Sequence, residues 1–290
     1  MTESPDRLCV LADPYLRTDD VRALERAVER TGISIPLVVV NDPEDPSIDP
    51  EVEANAVNER FGLGTLRVLF TLLKTHRAWT LVFAEKKLAA EFGSTAASSG
   101  RVHVEDVSCL ADAEVLYVTP RTEGNWNELP RDAVELVRER SDVAVRFGFG
   151  LLRGDVLDAP EFGVLSFHQA DIRTYRGLGA PQAWIDGRET MGVTLQRLNE
   201  DIDGGEIVAY DETDVSECAT LWEAYDRLYD LKADLLAQGI ENLRDPSFEP
   251  TIPETLGPYN SVDKRRSLRF AGRTLHKNLT GRLRASRRKP

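Results

Sequence analysis

The sequence contains few of the residues that build disulfide frameworks, metal clusters or membrane spans. Only three cysteines occur among 290 residues, far apart and with no second cysteine or histidine at ligand spacing, which favours small buried side chains over a disulfide or zinc scaffold. The longest apolar runs, such as Ile35–Val40, are much shorter than the roughly 18 residues of a membrane helix. The polar residues Met1–Arg7 lack a signal-peptide pattern, so we expect a cytoplasmic protein without a transmembrane segment.

A glycine-rich phosphate loop is also missing where a nucleotide-binding domain would have one. The first predicted strand, Leu8–Leu11, is followed by Ala12-Asp-Pro-Tyr15, which contains no glycine. No Walker motif occurs elsewhere in the sequence. A dinucleotide or phosphate cradle at the first strand–helix turn is therefore not predicted.

Lysine is scarce, and charge is distributed unevenly along the chain. Only seven of the 36 basic residues are lysine, and the net charge is −13. Residues 261–290 contain eleven Lys and Arg against one acid, a net charge of +10, whereas the first 260 residues carry −23 from 48 acids and 25 bases. An acidic body poor in lysine is typical of a salt-adapted protein and repels nucleic acid, which makes a nucleic-acid partner conceivable only through the tail.

The order of the predicted elements indicates an α/β protein. Hydrophobic residues make up 41% and charged residues 29%, as in packed globular proteins. Strands alternate with helices, as in strand Leu8–Leu11, helix 18–31 and strand Ile33–Val40, which predicts a doubly wound, mostly parallel sheet. Residues 43–60 are predicted as a surface loop, Ser94–Gly100 as a link of small residues and Arg121–Asn127 as a loop. Short strands are predicted at Val102–Val107, Thr194–Arg197 and Ile207–Ala209.

The chain is predicted to divide into a domain over residues 1–250 and an appendage over residues 251–290. The appendage begins with a proline-containing linker and ends in the basic tail, where leucines recur near helical spacing among arginines. This pattern indicates an amphipathic helix or a disordered arm. Its partner is an anionic membrane, RNA or the protein's own acidic body, and we favour docking on the acidic body.

Two side chains between residues 142 and 210 are candidates for acid/base chemistry. His168 directly follows a predicted strand, at the edge where an α/β sheet places its ligands. Asp203 lies in a second loop, before two glycines and a return strand, from where its carboxylate can face the first loop. A histidine oriented by a carboxylate is a usable proton-transfer pair, although a strand-end histidine and an Asp-Gly turn are each more often structural.

Residues 110–240 resemble the formyltransferases that use 10-formyltetrahydrofolate, a family that includes methionyl-tRNA, glycinamide ribonucleotide and amino-sugar N-formyltransferases. Four motifs occur in the family's order: Ser166-Phe-His168, the turn Gln169–Gly177, Gly192-Val-Thr194 and Asp203-Gly-Gly205. The resemblance implies a Rossmann-like sheet of the formyltransferase type, with no metal and with His168 and Asp203 as catalytic residues. The family's catalytic asparagine is replaced by Ser166, whose shorter hydroxyl is expected to serve as an auxiliary hydrogen-bond donor.

The resemblance also implies where the two substrates bind. The donor, 10-formyltetrahydrofolate, is expected on one loop, formed by Phe147, Gly148, Phe149, Gly150, Leu151 and Leu152. The acceptor is a small-molecule amine, and a phosphorylated or nucleotide-linked one would suit the charges of Arg173 and Arg176 beside Gly177. The alternative for these two arginines is that they are solvated loop charges.

The replacement of the asparagine keeps two other functions open. One is hydrolysis of formyltetrahydrofolate, with water as the acceptor. The other is a non-catalytic relative that binds folate or an anion, against which the retention of both His168 and Asp203 argues. Neither the identity of the acceptor nor the oligomeric state is predicted, because acceptor contacts come from loops that vary within one fold.

Overall fold

The computed structural model describes residues 4–288 except 45, 47, 59–61 and 92–99, and helices alternate with strands along it. The helices are α1 (Thr18–Thr31), α2 (Pro50–Asn58), α3 (Leu63–His76), α4 (Trp79–Glu91), α5 (Arg131–Arg140), α6 (Gly179–Asp186), α7 (Leu221–Arg244) and α8 (Leu268–Arg288). The strands are β1 (Arg7–Ala12), β2 (Tyr15–Arg17), β3 (Ser34–Asn41), β4 (Arg101–His103), β5 (Glu114–Val118), β6 (Arg121–Glu123), β7 (Trp126–Glu128), β8 (Val143–Arg146), β9 (Leu151–Leu152), β10 (Val164–His168), β11 (Arg176–Gly177), β12 (Thr190–Arg197), β13 (Glu206–Asp214) and β14 (Tyr259–Asn260).

A seven-stranded sheet organises the molecule. Its strand order is β13-β12-β10-β8-β1-β3-β5. The five strands from β10 to β5 are parallel, and β12 and β13 complete the sheet as antiparallel strands. The prediction of a mostly parallel α/β sheet is confirmed. The parallel strands read as nearly continuous β-branched and aliphatic runs because helices cover both faces.

Alternation along the strands separates two hydrophobic cores. Val10, Val38 and Val145 face α1 and α7 in the larger core. Cys9, Val39 and Ala144 face α5 in the smaller one. Near the carboxyl ends of the central strands, polar side chains such as Ser166 and His168 replace apolar ones on the face of the smaller core, and the catalytic candidates lie there.

Three local predictions are wrong. The interval 43–60, predicted as a loop, contains helix α2. Of the segment Val102–Val107, only the first two residues belong to a strand, the short β4, which pairs with β2 outside the central sheet. Val104–Asp106 form a 3-10 turn. The predicted loop Arg121–Asn127 is a β-hairpin made by β6 and β7. The predicted link Ser94–Gly100 falls mostly outside the described residues.

The segment after residue 250 packs against the rest of the chain. Thr251 bridges Ile207, and β14 pairs in parallel with β11. The basic segment is helical: α8 packs on α4 and α6, with Thr274 and Asn278 fully buried. Within the part of the chain that the structure describes, no helix is both long and apolar enough to cross a membrane.

Candidate active site

The carboxyl end of β10 places two polar side chains on one face of the sheet. Ser166 and His168 are two residues apart, so both point to the α5 side. Ser166 lies beside Arg146 of β8 and Gln196 of β12 in the strand register. Because parallel strands end at the same edge, this row of side chains meets the loops that follow β8 and β10.

His168 forms a direct contact with Asp203. The two atoms His168 Nδ1 and Asp203 Oδ1 are 3.2 Å apart, and His168 Nε2 lies 3.0 Å from the carbonyl oxygen of Tyr175. The side chains are 8% and 19% exposed, respectively, so the pair is largely shielded but not sealed. Both ring nitrogens therefore face hydrogen-bond acceptors, the Asp203 carboxylate and a backbone carbonyl.

The loop that carries Asp203 is strained and tightly held. The backbone φ of Asp203 is +48°, a left-handed conformation that is uncommon outside glycine and is often found at functional sites. Asp203 Oδ2 accepts the N–H of Gly177 at 2.7 Å, and Oδ1 accepts from Gln196 Nε2 at 3.3 Å. Gln196 is fixed in turn, because its Oε1 accepts the N–H of Gly205 at 3.0 Å.

These contacts keep the Asp203 carboxylate charged. Burial raises its pKa, but hydrogen bonds from His168, Gly177 and Gln196 and the attraction of His168 outweigh that effect, so the pKa of Asp203 lies below its usual value. A charged carboxylate orients the imidazole and stabilises its protonated form. The sequence-predicted pair is thus brought together in an arrangement suited to proton transfer.

Gly177 and Arg176 hold the Asp203 loop from the other side. A side chain at Gly177 would overlap the carbonyl of Asn260, and its φ of +73° favours glycine. Arg176 donates to the carbonyl oxygens of Gly257 and Ile202 at 3.0 and 3.3 Å. Gly177 and Arg176 were predicted as acceptor contacts. In the structure Gly177 holds the Asp203 carboxylate, and Arg176 holds the backbone of the preceding residue, Ile202.

Arg173 has partners of its own in the loop after β10. Its guanidinium pairs with Asp171 at 2.7 Å and lies 4.8 Å from the ring centre of Tyr210. The hydrogen bond to Asp171 holds the pKa of Arg173 above its usual value. A cavity of about 190 Å³ lies beside this loop, lined by Asp171, Tyr210 and Arg188 among others.

The predicted donor loop follows β8 in an unusual conformation. Phe149 and Gly150 have φ values of +64° and +58°, and a side chain at Gly148 would overlap the backbone at Ala12 and Asp13. Asp13 accepts the N–H of Phe149 at 3.1 Å, which fixes the turn against the end of β1. Glycine is required at 148 because the loop and β1 approach so closely.

The two aromatic side chains of this loop point into packed regions. Phe149 is fully buried in the smaller core, and Phe147 stacks on Phe167 with ring centres 6.1 Å apart. Leu151 and Leu152 form β9, an edge strand of the three-stranded sheet β6-β7-β9. The loop can therefore offer its backbone, rather than its aromatic rings, to a flat ligand.

Sequence reasoning missed three functional neighbours: Arg146, Tyr175 and Gln196. Arg146 donates to Ser166 Oγ through Nη2 at 2.8 Å and Nε at 3.2 Å, and to the carbonyl oxygen of Gly150 through Nη1. Nothing local in the sequence identifies these residues. Only the order and register of the strands bring them beside Ser166 and His168.

The sheet and the buried His–carboxylate pair at its carboxyl edge define an α/β protein equipped for acid/base chemistry. The family model described as "Formyl transferase" matches residues 83–240, more than half of the chain. The chain belongs to this formyl transferase family.

Curated relatives are methionyl-tRNA formyltransferases. That of Fusobacterium nucleatum is 32% identical over 113 residues, covering 38% of this chain and 36% of the relative. That of Clostridium beijerinckii is 30% identical over 158 residues, or 50% of each chain. That of Rickettsia canadensis is 27% identical over 184 residues, covering 63% and 57%. The chain spans about half the length, or less, of these relatives.

Solved structures share the fold at low sequence identity. A sugar N-formyltransferase from Shewanella superposes with a TM-score of 0.52 and 12% identity, covering 89% of this chain and 77% of that one. A formyltetrahydrofolate deformylase from Pseudomonas syringae superposes with a TM-score of 0.52 at 14% identity, covering 87% of this chain and 66% of that one. A phosphoribosylglycinamide formyltransferase from Bacillus halodurans superposes with a TM-score of 0.50 at 16% identity, covering 82% of this chain and 96% of that one. These likenesses establish the fold alone.

Proposed function

We propose that this protein transfers a formyl group from 10-formyltetrahydrofolate to an amine. The observation that supports this most directly is the 3.2 Å contact of His168 with Asp203, at the carboxyl edge of the sheet and inside the region that matches the formyl transferase family. The donor is a substrate of the reaction, and the backbone of the Phe147–Leu152 loop is the surface proposed to hold its flat ring.

The chemistry has two steps that the pair can serve. The amine nitrogen attacks the formyl carbon with its lone pair, and the carbonyl π pair moves to the oxygen, giving a tetrahedral oxyanion. The bond between the formyl carbon and the folate nitrogen then breaks, its electron pair stays on that nitrogen, and the proton lost by the amine is delivered there. His168 relays this proton, and Asp203 orients the ring and stabilises its charge.

His168 Nε2 is the atom that changes partner during the reaction. The bond of Nδ1 to Asp203 is charge-assisted, whereas Nε2 contacts a neutral backbone carbonyl, and charge-assisted hydrogen bonds are about twice as strong. Nε2 therefore leaves the Tyr175 carbonyl to reach the substrate. Ser166 Oγ accepts from Arg146, and its hydroxyl hydrogen remains as the auxiliary donor.

The acceptor is proposed to be a small-molecule amine. Relatives and fold neighbours are named for methionyl-tRNA, phosphoribosylglycinamide and sugars, so acceptors in this family range widely. Arg173 is the proposed contact for an anionic acceptor, which would replace Asp171 as the partner of its guanidinium. Arg176 is proposed to act indirectly, because its guanidinium already holds two carbonyls.

The test is release of tetrahydrofolate from 10-formyltetrahydrofolate, with a panel of amines and with no amine. We expect His168→Asn to lower the rate by about 10²–10⁴. His276→Asn is the matched control, because His276 is an exposed residue of α8, and its rate should equal that of the unaltered protein. Release that survives in His168→Asn would refute the proposed role, and free formate without an amine would indicate hydrolysis instead of transfer.

A further inference from the structure

Arg146 is a cation held at the site without a bonded anion. It is the last residue of β8 and is half-buried. Its contacts are the hydroxyl oxygen of Ser166 and the carbonyl oxygen of Gly150, both neutral. Within the described ranges it forms no ion pair. Placing a charge in a partly dry site without a counter-ion is costly, so such groups are normally paired.

The nearest carboxylates cannot take that role. Asp203 is committed to His168, Gly177 and Gln196, and Asp13 to Asn41 and the Phe149 N–H. Both act on Arg146 only at a distance, where they raise its pKa less than burial lowers it. Arg146 nevertheless remains a cation, since arginine stays charged in proteins.

The guanidinium also has hydrogen-bonding capacity to spare. Arginine carries five N–H donors, of which one on Nε, one on Nη2 and one on Nη1 are used. Two N–H groups are left without a partner among the residues that the structure describes. A fork of arginine N–H donors is well suited to a negatively charged oxygen.

We propose that Arg146 binds the oxyanion of the tetrahedral intermediate. This inference rests on the proposed function. When the amine attacks and the carbonyl electrons move to the formyl oxygen, the two remaining N–H groups donate to that oxygen. When the carbon–nitrogen bond to folate breaks, its electron pair stays on the folate nitrogen, a lone pair of the oxyanion re-forms the formamide C=O, and Arg146 is again unpaired. The transient negative charge of the intermediate thus supplies the counter-ion that Arg146 lacks in the resting site.

Ser166 is the positioning residue in this arrangement. Its hydroxyl oxygen accepts from both Nε and Nη2 of Arg146, which fixes one edge of the guanidinium on the face of the sheet that also carries His168. Ser166 is 1% exposed, so the larger amide of asparagine at this position would compete with the guanidinium for space. Residues 146 and 166 therefore act as one unit.

The experiment compares Arg146→Met with Arg131→Met in the tetrahydrofolate-release assay. Removing one oxyanion donor costs about 10²–10³ in kcat, and we expect that loss for Arg146→Met with little change in KM for the donor, because the contact forms only in the transition state. Arg131→Met is the matched control, since the Arg131 side chain is 91% exposed on α5; it should keep the full rate.

Two further variants separate a chemical role from a structural one. In Arg146→Ala, added methylguanidine at non-denaturing concentration should restore part of kcat, which a purely structural loss would not allow. Ser166→Asn alone should lower kcat. The double variant with Arg146→Ala and Ser166→Asn should have a higher kcat than Arg146→Ala alone, because the asparagine amide then has room to donate a hydrogen bond.

An active protein in which Arg146→Met keeps kcat would overturn this inference and leave the proposed function standing. A fall in thermal midpoint without any rescue by methylguanidine would likewise overturn it. If the unaltered protein releases no tetrahydrofolate with any amine or with water, the proposed function itself fails, and the role of Arg146 fails with it.

Discussion

At the scale of single residues, Asp203 combines a strained backbone with a charged side chain. We expect Asp203→Asn to lower kcat by about 10²–10⁴, as loss of an acid/base partner does. Asparagine tolerates the left-handed conformation that Asp203 adopts at φ +48°, so the loss reports the charge rather than the backbone. Asp201→Asn is the control in the same loop, because Asp201 is exposed. An unchanged rate in Asp203→Asn would contradict the assigned role.

A second residue, Asp142, makes the stability depend on pH. Its carboxylate accepts from the N–H groups of Asp6 and Arg7 at 3.0 and 2.9 Å and pairs with the Arg7 guanidinium at 2.7 Å. Burial raises its pKa, but these bonds lower it further, so the pKa lies below its usual value of 3.8. The stabilisation is therefore present above the unfolded-state pKa and is lost as pH falls through the folded-state pKa.

We therefore expect Asp142→Asn to lower the free energy of unfolding by about 1–3 kcal/mol at neutral pH. The difference from the unaltered protein should shrink below about pH 4, where the unaltered carboxyl also takes up a proton. Urea denaturation at several pH values measures this. A difference that stays constant down to the lowest pH at which both proteins fold would contradict the linkage.

The residue scale also shows what the sequence can and cannot predict. The contact of His168 with Asp203 could be predicted because a strand-end histidine and a downstream Asp-Gly-Gly lie in motifs of known order. The contact of Arg146 with Ser166 could not, because it depends on the register of β8 against β10, which local composition does not specify.

At the scale of elements, helix α1 could be predicted with its bounds because its apolar positions repeat at helical spacing. Gly32 ends the helix in a left-handed conformation that glycine adopts readily. The strands β12 and β13 run to Thr190 and Asp214, beyond the predicted Thr194 and Ala209. The outer end of β13, the sheet-edge strand, carries aspartate, glutamate and threonine that contact solvent, and such residues hide a strand from a hydrophobic pattern.

Helix α8 offers a matched pair of glycines. A side chain at Gly281 would overlap the carbonyl of Ala219, whereas one at Gly272 would meet nothing within 4 Å. Alanine is a better helix former than glycine by about 0.8–1.0 kcal/mol, so Gly272→Ala should raise the thermal midpoint. Gly281→Ala should lower it, because α8 must move off the loop before α7. Equal effects at both positions would show that α8 does not dock as described.

At the scale of the whole molecule, the charges of body and tail are opposite. The first 260 residues carry −23 and residues 261–290 carry +10, and α8 rests on the body through contacts such as Arg282 with Glu85 at 2.9 Å. The basic helix α8 thus contacts the acidic body of its own chain. Like charges remain in excess, since the net charge is −13.

We therefore expect added salt to stabilise the protein. Between 0.1 and 1 M NaCl the screening length falls from about 10 to about 3 Å, which weakens the repulsion within the acidic body more than the short contacts of α8. The thermal midpoint should rise across this range in a calorimetric or fluorescence scan. A falling midpoint would mean that attraction between tail and body dominates the electrostatic balance.

The cap on α7 has a consequence for the order in which the chain can fold. Asn278 Oδ1 accepts the N–H of Leu221 at 2.9 Å across 57 positions, and its Nδ2 donates to Glu85 at 3.1 Å. During synthesis the first turn of α7 emerges well before this partner exists. The helix that closes the large core over β12 and β13 therefore gains the buried hydrogen bond at its first residue only after residue 278 has been synthesised.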